Sequence, residues 1–489
     1  MEMLIQPPAR GVERDSLSSV SAFTLSMDEE STQRTNSPSS ASSPDTHADT
    51  FTDPTHAACL RFARDKYPKA TIAESSMQGR CSYTLLIPDD AGGGSGGTVL
   101  QFRPPRHSID LSITAAARSI FGSLVPETQF LGVINSDASP DVPGPEGPNT
   151  PGCRTMLVYA HTLLPGKPLS SLPPYNNTHP SSEPTPIPTP QTPAHLPPLL
   201  TSLATAYYTP SHGASRPPTS PFLSHAKRTI GRSMGARVAR LRADLPRPWL
   251  RAVAARVGDV LEREIEGGLP WVLTHGDLCC GGGGGGVGNL LVGVGGGYGH
   301  GEDGGGGGGG DRGDEGDRGD KGDRGDEGDR GDEGDRGGEG DRGDKGDRGD
   351  GGGDENKGLR LTGLVDWAEG EWLPFGVGLY GVEELLGRMA DDGEGGRRFE
   401  YWPDADRLRA VFWEALVAGV PELAEGSDFR ERVEKARLLG ILLWYGIAFD
   451  DGALNRVVEE GRDSEELQKL EMFLSGGTSS INAASAEDG

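Results

Sequence analysis

Trp271-Val-Leu-Thr-His-Gly-Asp-Leu278 is a short apolar run that ends in a polar turn carrying an aspartate. Well downstream, Leu361-Thr-Gly-Leu-Val-Asp-Trp367 repeats the pattern, and between them Asn289-Leu-Leu-Val292 opens another apolar run with an amide. A buried strand that delivers one carboxylate to its end suits phosphoryl transfer. One Asp accepts the proton of a substrate hydroxyl, and a second holds Mg²⁺ on the nucleotide phosphates. His-Gly-Asp, Asn and Asp, in that order, are the parts of a small-molecule kinase.

Much of the remaining chain is not core-forming. Of 489 residues, Gly 76 and Pro 37 make up about 23%, near the level of low-complexity sequence. The ordered remainder, roughly 300 residues, is long enough to bury a sizeable core. The formal charge is -26, which disfavours nucleic acid or an anionic membrane as partner. The five cysteines, Cys59, Cys81, Cys153, Cys279 and Cys280, fit no zinc-ligand spacing and read as reduced thiols. No stretch approaches the length of apolar sequence needed to span a bilayer. The opening residues show no basic segment followed by an apolar run. The expectation is a cytoplasmic protein.

Residues 1–52 are Ser/Thr-rich, as in Thr35-Asn-Ser-Pro-Ser-Ser-Ala-Ser-Ser-Pro44, and read as a disordered tail. From there a helix is predicted over Thr55–Lys66 and strands over 78–87, 98–103, 130–134 and 155–159, with a helix over Leu111–Phe121. Four strands and two helices make a small β-rich lobe, 53–162. Leu163-Leu-Pro-Gly-Lys-Pro168 is a sharp break into a second lobe, 163–475. Within that lobe 172–195 is Pro/Ser/Thr-rich and reads as an expanded surface loop or as a proline-type ligand. Helical spacing returns at 196–207, 224–241 and 248–264, and after Pro374 at 377–389, 405–418, 429–449 and 464–474. Residues 476–489 are a polar tail. The expected fold class is α+β, with low-complexity inserts at 172–195, 281–287 and 295–357.

The third insert carries Gly at every third position from 313 to 349, mostly as Gly-Asp-Arg or Gly-Asp-Glu/Lys. Collagen shares this period but needs abundant Pro, which is absent here. Dense alternating charge reads as a solvated loop. Its recurrent Arg-Gly-Asp is the tripeptide read by integrins, and without a secretory signal it reads as a by-product of the repeat. The runs 289–292 and 361–366 are expected to form one hairpin with this insert at its tip, where doubling a loop's length costs only about 0.6 kcal/mol.

The segments 273–278, 289–292 and 363–367, with Val99-Leu-Gln-Phe-Arg-Pro-Pro-Arg106 and Trp367-Ala-Glu-Gly-Glu-Trp-Leu-Pro-Phe-Gly-Val-Gly-Leu-Tyr380, resemble the aminoglycoside phosphotransferase/choline kinase family, in a fungal branch of it. The resemblance covers about 53–172 and 196–475, less the inserts. It implies a protein-kinase-like two-lobed fold with ATP in the cleft. By position Asp277 resembles the catalytic aspartate, with His275 beside it in the same loop, expected to brace backbone. Asn289 and Asp366 resemble the Mg²⁺ ligands, and hard oxygen donors suit that ion. The turn of Gly79 and Ser82 resembles the phosphate-covering loop, and the segment Tyr159, Ala160 to Thr162 the hinge whose backbone meets adenine. Trp367, Trp372 and Phe375 read as core. Glu369 and Glu371 read either as facing the substrate or as a solvated turn.

Three positions depart from the family pattern. Arg103 stands where the family has a Lys, and its longer planar fork makes the exchange unequal. The helix Leu111–Phe121 has no Glu to pair with it, and Asp110 comes only at the helix start. Asn289 follows Asp277 by twelve residues where the family has five, because of the run Gly281–Gly286. Loop closure across that excess costs about 0.8 kcal/mol. The expected function is ATP-dependent transfer of a phosphoryl group to a small-molecule hydroxyl acceptor. The alternative is a catalytically impaired kinase-like protein that binds ATP or a partner.

Overall fold

The structure, a computed structural model, describes residues 53–76, 78, 81–89, 96–135, 155–173, 175, 191–278, 288–294, 358–391, 396–450 and 453–476. Gly79, residues 1–52 and 477–489, the runs 281–287 and 295–357, and most of 172–195 lie outside that set.

The first elements are α1 (Asp53–Lys66), β1 (Ala73–Glu74), β2 (Tyr83–Pro88), β3 (Gly97–Arg103), α2 (Leu111–Phe121), β4 (Thr128–Asn135) and β5 (Thr155–Thr162). The strands form one antiparallel sheet ordered β1-β2-β3-β5-β4. Four of these strands were expected, and β1 is a two-residue addition at the edge. The register sorts the side chains. Leu85 lies opposite Leu100, Leu100 opposite Ala160 and Phe102 opposite Val158. With Cys59 and Ala63 of α1 they close one apolar cluster. Residues alternate faces along a strand, so Val99, Gln101 and Arg103 of β3 project the other way, beside Leu157, Tyr159 and His161 of β5.

A second apolar cluster takes in α2 and the remainder of the described chain. Its helices are α3 (Leu196–Leu203), α4 (Thr209–Gly213), α5 (Leu223–Ala226), α6 (Thr229–Asp244), α7 (Pro248–Val260), α8 (Tyr380–Leu385), α9 (Ala405–Gly419), α10 (Asp428–Tyr445) and α11 (Ser464–Gly476). A π-helical turn, Ala204–Tyr208, joins α3 to α4. The strands are β6 (Lys167–Pro168), β7 (Trp271–Thr274), β8 (Leu290–Val294), β9 (Leu359–Leu364), β10 (Glu371–Pro374), β11 (Gly387–Asp391), β12 (Arg397–Tyr401), β13 (Ile447–Asp450) and β14 (Ala453–Val457). β8 and β9 pair antiparallel, Leu290 with Leu364 and Val294 with Leu359, which is the expected hairpin. β7 pairs with β10.

Two expected helices end early. The helix predicted over 377–389 is a 3₁₀ turn and then α8, after which the chain crosses into β11 and pairs with β12. A Cβ on Gly387 would sit 2.4 Å from the Glu400 carbonyl oxygen, so the close strand approach requires glycine there. The helix predicted over 429–449 stops at Tyr445; Gly446 caps it, and Ile447–Asp450 pairs with β14. A glycine past the last turn is an ordinary helix stop, but the apolar residues after it kept the helical count going.

Glu383 of α8 is buried beneath this region. It accepts from Arg409 Nη2 at 2.9 Å, Arg437 Nη1 at 3.1 Å and the Tyr401 hydroxyl at 3.1 Å. Removing one partner of a buried charge cluster leaves the others uncompensated. Glu383→Ala is therefore expected to lower unfolding free energy by about 3–5 kcal/mol in urea titration. Breaking the exposed Arg398–Glu400 pair by Glu400→Ala should cost less than about 1 kcal/mol.

Candidate active site

β7 delivers the chain to His275-Gly276-Asp277, and this turn is held from every side. Gly276 has φ 81°, and a Cβ there would lie 2.2 Å from the Glu369 carbonyl oxygen, so no other residue fits. Its own carbonyl accepts from the Tyr380 hydroxyl at 3.0 Å and from Trp444 Nε1 at 2.6 Å. Behind the turn, the π-helical segment carries Tyr207 inward, and its hydroxyl accepts from the His275 backbone N–H at 2.9 Å.

His275 is fully buried. Its Nε2–H donates to the Val365 carbonyl at 2.8 Å, and its Nδ1 accepts from the Asp277 backbone N–H at 3.3 Å. That pair of bonds fixes the Nε2–H tautomer. Burial pushes its pKa down to about 4, against the pull of the Val365 carbonyl and Asp366, so the ring is neutral near pH 7. Both nitrogens are engaged by backbone, which leaves neither for proton transfer. Grouped with Asp277 as a catalytic residue and expected to brace backbone, His275 makes both of its ring contacts here to backbone.

Asn289 reaches Asp277 despite the twelve-residue spacing. Its Nδ2 donates to the Asp277 carbonyl at 2.7 Å and to Asp277 Oδ2 at 3.0 Å, which leaves Oδ1 unclaimed by these bonds. The Asn289 carbonyl accepts from the Val365 N–H at 3.1 Å. The ends of the β8–β9 pair thus bring Asn289 next to the residue before Asp366. Asp366 itself has φ 57°, the one non-glycine residue with positive φ among the described residues. Such conformations are costly and collect at functional sites.

Arg103 comes from the end of β3. Its Nη1 meets Asp366 Oδ1 at 2.8 Å, while Nε donates to the His107 carbonyl at 2.8 Å and Nη1 also to Gln101 Oε1 at 3.1 Å. Burial alone would raise the Asp366 pKa. The charge of Arg103 and its hydrogen bond outweigh that and hold the carboxyl below the ordinary carboxylate value. Asp110 does not serve Arg103: it caps α2, accepting from the Ser112 N–H at 2.9 Å. The partner that the helix does not provide is Asp366 itself.

The two glutamates after Trp367 part ways. Glu371 is buried and accepts from the Ile230 N–H at 3.1 Å and the Gly231 N–H at 2.9 Å, in the first turn of α6. It faces no substrate. Glu369 opens to solvent on one side, yet the protein packed around it, and then the carboxylates of Asp366 and Asp277, push its pKa up to about 8. Trp367, Trp372 and Phe375 are core, as expected.

The nucleotide-facing expectations are less well placed. Ser82 is buried just before β2. Tyr159, Ala160 and Thr162 lie in β5, which has β3 on one side and β4 on the other. An interior strand spends its backbone donors and acceptors on its neighbours, so this backbone is not available to a base. Ala160 packs on the α1 cluster, and the Tyr159 hydroxyl accepts from the Ile109 N–H at 3.1 Å. Leu163 still donates to Gly97 at 2.9 Å, so chain released from the sheet begins after it. Two further residues face the site, Gln101 and His161. Counting by twos back from Arg103 along β3, and along its partner strand, would have found them.

No family model and no curated protein matches this chain. Solved structures similar to it include the choline kinase from Cryptosporidium parvum Iowa II, at 10% identity and a TM-score of 0.38, over 88% of this chain and 99% of that one. The Plasmodium vivax ethanolamine kinase is similar at 9% identity and a TM-score of 0.38, over 86% and 88%. At so low a TM-score neither adds to what the geometry carries. Among the described residues no helix is long and apolar enough to cross a membrane.

The depressed His275 pKa has a pH signature. An unfolded histidine takes up a proton near pH 6.5, while the folded one refuses it until about 4. Between these values the unfolded state binds more protons, so stability is intact above about pH 6.5 and falls as the pH drops toward 4, by up to about 3 kcal/mol from this group. In His275→Gln the slope of unfolding free energy against pH across that window is expected to be shallower by as much as about 1.4 kcal/mol per unit. Urea titrations at pH 7 and 5 on both proteins measure it, and parallel slopes would refute the assignment.

Proposed function

We propose that this chain is an ATP-dependent small-molecule kinase of two lobes, 53–162 and 163–475, which moves the γ-phosphoryl group of ATP to a hydroxyl acceptor. The observation that carries the reading is the meeting of Asp277, Asn289 and Asp366 at the ends of β7, β8 and β9, with Arg103 reaching Asp366 from the other sheet.

The donor chemistry fits Mg²⁺. Among the described residues no group of three or more His, Cys, Asp or Glu encloses a metal. Mg²⁺ needs none, because it takes one or two protein oxygens and completes its shell with phosphate oxygens and water. The Asp366 carboxylate and Asn289 Oδ1 would hold it. When bound, the ion neutralises charge on the phosphates. The Asp277 carboxylate, fixed by the Asn289 amide, would orient the acceptor hydroxyl and take its proton. The Arg103 guanidinium would neutralise phosphate charge once a nucleotide shares its attention with Asp366. The lengthened loop motivated the impaired alternative, but the Asn289 amide still bonds to Asp277, which favours the active reading.

A screen for phosphate transfer against amino alcohols, sugars and aminoglycosides would find the acceptor. On it, Asp277→Ala is expected to lower kcat by about 10²–10⁴-fold while the protein stays folded. Asp366→Asn should in addition raise KM for Mg·ATP. Turnover that survives intact in Asp277→Ala would sink the proposal.

A further inference from the structure

His161 is absent from every role assigned so far. It sits on the same face of the sheet as Arg103, Gln101 and Tyr159, opposite Val99 in β3 and Thr128 in β4. Its Nδ1 is fixed by the Thr128 hydroxyl at 3.0 Å, while its Nε2 is buried with no hydrogen-bond partner among the described residues. Buried polar atoms are nearly always paired, so an unpaired ring nitrogen on a strand that faces the site calls for a ligand. Burial holds the ring neutral with a pKa of about 4, against the pull of the Asp366 carboxylate and with a smaller push from Arg103. A neutral imidazole suits an uncharged polar edge better than a phosphate. Position points the same way. The Arg103/Leu157 pair and the Val99/His161 pair are four residues apart, about 13 Å at the rise of a strand. That is comparable with the reach from the phosphates to the base of an extended nucleoside triphosphate.

We propose that His161 Nε2 hydrogen-bonds the edge of the nucleotide base, with Thr128 holding the ring in place, so that β5 contributes a side chain to base recognition while its backbone stays in the sheet. This rests on the kinase reading, in which Arg103 marks the phosphate end.

The test compares two probes on the full chain, Mg·ATP and inorganic tripolyphosphate with Mg²⁺, which has the phosphates but no base. In His161→Ala the Kd for ATP is expected to rise roughly fivefold to tenfold, as for one lost hydrogen bond, with the Kd for tripolyphosphate within a factor of two of wild type. Thr128→Val, which frees the ring without removing it, should give a smaller rise for ATP and none for tripolyphosphate; it stands in if His161→Ala does not fold. Unchanged ATP affinity in the variants, or equal losses for both probes, would overturn the role of His161 and leave the kinase reading in place. A wild-type protein that binds neither probe would overturn the kinase reading, and this proposal with it.

Discussion

One buried imidazole couples the two aspartate-bearing turns. His275 gives its Nε2–H to the carbonyl of Val365 and takes the N–H of Asp277 on Nδ1. One side of the ring therefore sets the residue before Asp366, and the other sets the backbone of Asp277. Only the neutral ring can do both, since a protonated Nδ1 would oppose the Asp277 N–H. The dry surroundings that depress its pKa are thus a condition of the arrangement. Trp367 packs against the ring with centroids 4.6 Å apart, and Phe121 of α2 stacks on Trp367 in turn. The turn geometry is in this way tied to the helix that follows β3.

The ion pair of Arg103 and Asp366 is the second constraint. It crosses from the five-stranded sheet to the end of β9, with Arg103 buried and Asp366 half-buried. Such a pair adds little net stability, because desolvation offsets much of the attraction. What it does is hold the Asp366 carboxyl below the ordinary carboxylate value where burial would raise it. At Glu369 burial and the carboxylates of Asp366 and Asp277 outweigh the charge of Arg103, and the response in the same neighbourhood is the opposite.

The residues legible in the sequence were those whose meaning is local. His-Gly-Asp needs a glycine because the turn runs at positive φ against the Glu369 carbonyl, and a strand before a polar turn is visible in the spacing alone. The β8–β9 pairing was legible for the same reason. What stayed hidden depended on partners far along the chain. Glu371 reads like Glu369 until α6 is seen to start on it. The backbone of 159–162 reads as free until β4 is seen on its far side. The helix end at Tyr445 was missed because an apolar run after a glycine continues a helical count as readily as it starts a strand.

The β8–β9 ladder has a consequence for how this gene can vary. The pair is zipped from Leu290–Leu364 at the site to Val294–Leu359 at the far end, and residues 295–358 lie beyond the last rung. Register at the site is set by the ladder, so the number of residues past its far end is mechanically insulated from Asn289 and Asp366. Repeat units could be gained or lost there by replication slippage, and selection on the site would not register the change. The stretch between Asp277 and Asn289 has no such insulation, because its two ends are the site. Length polymorphism among natural copies should therefore concentrate past Val294, while the shorter glycine run stays nearly constant.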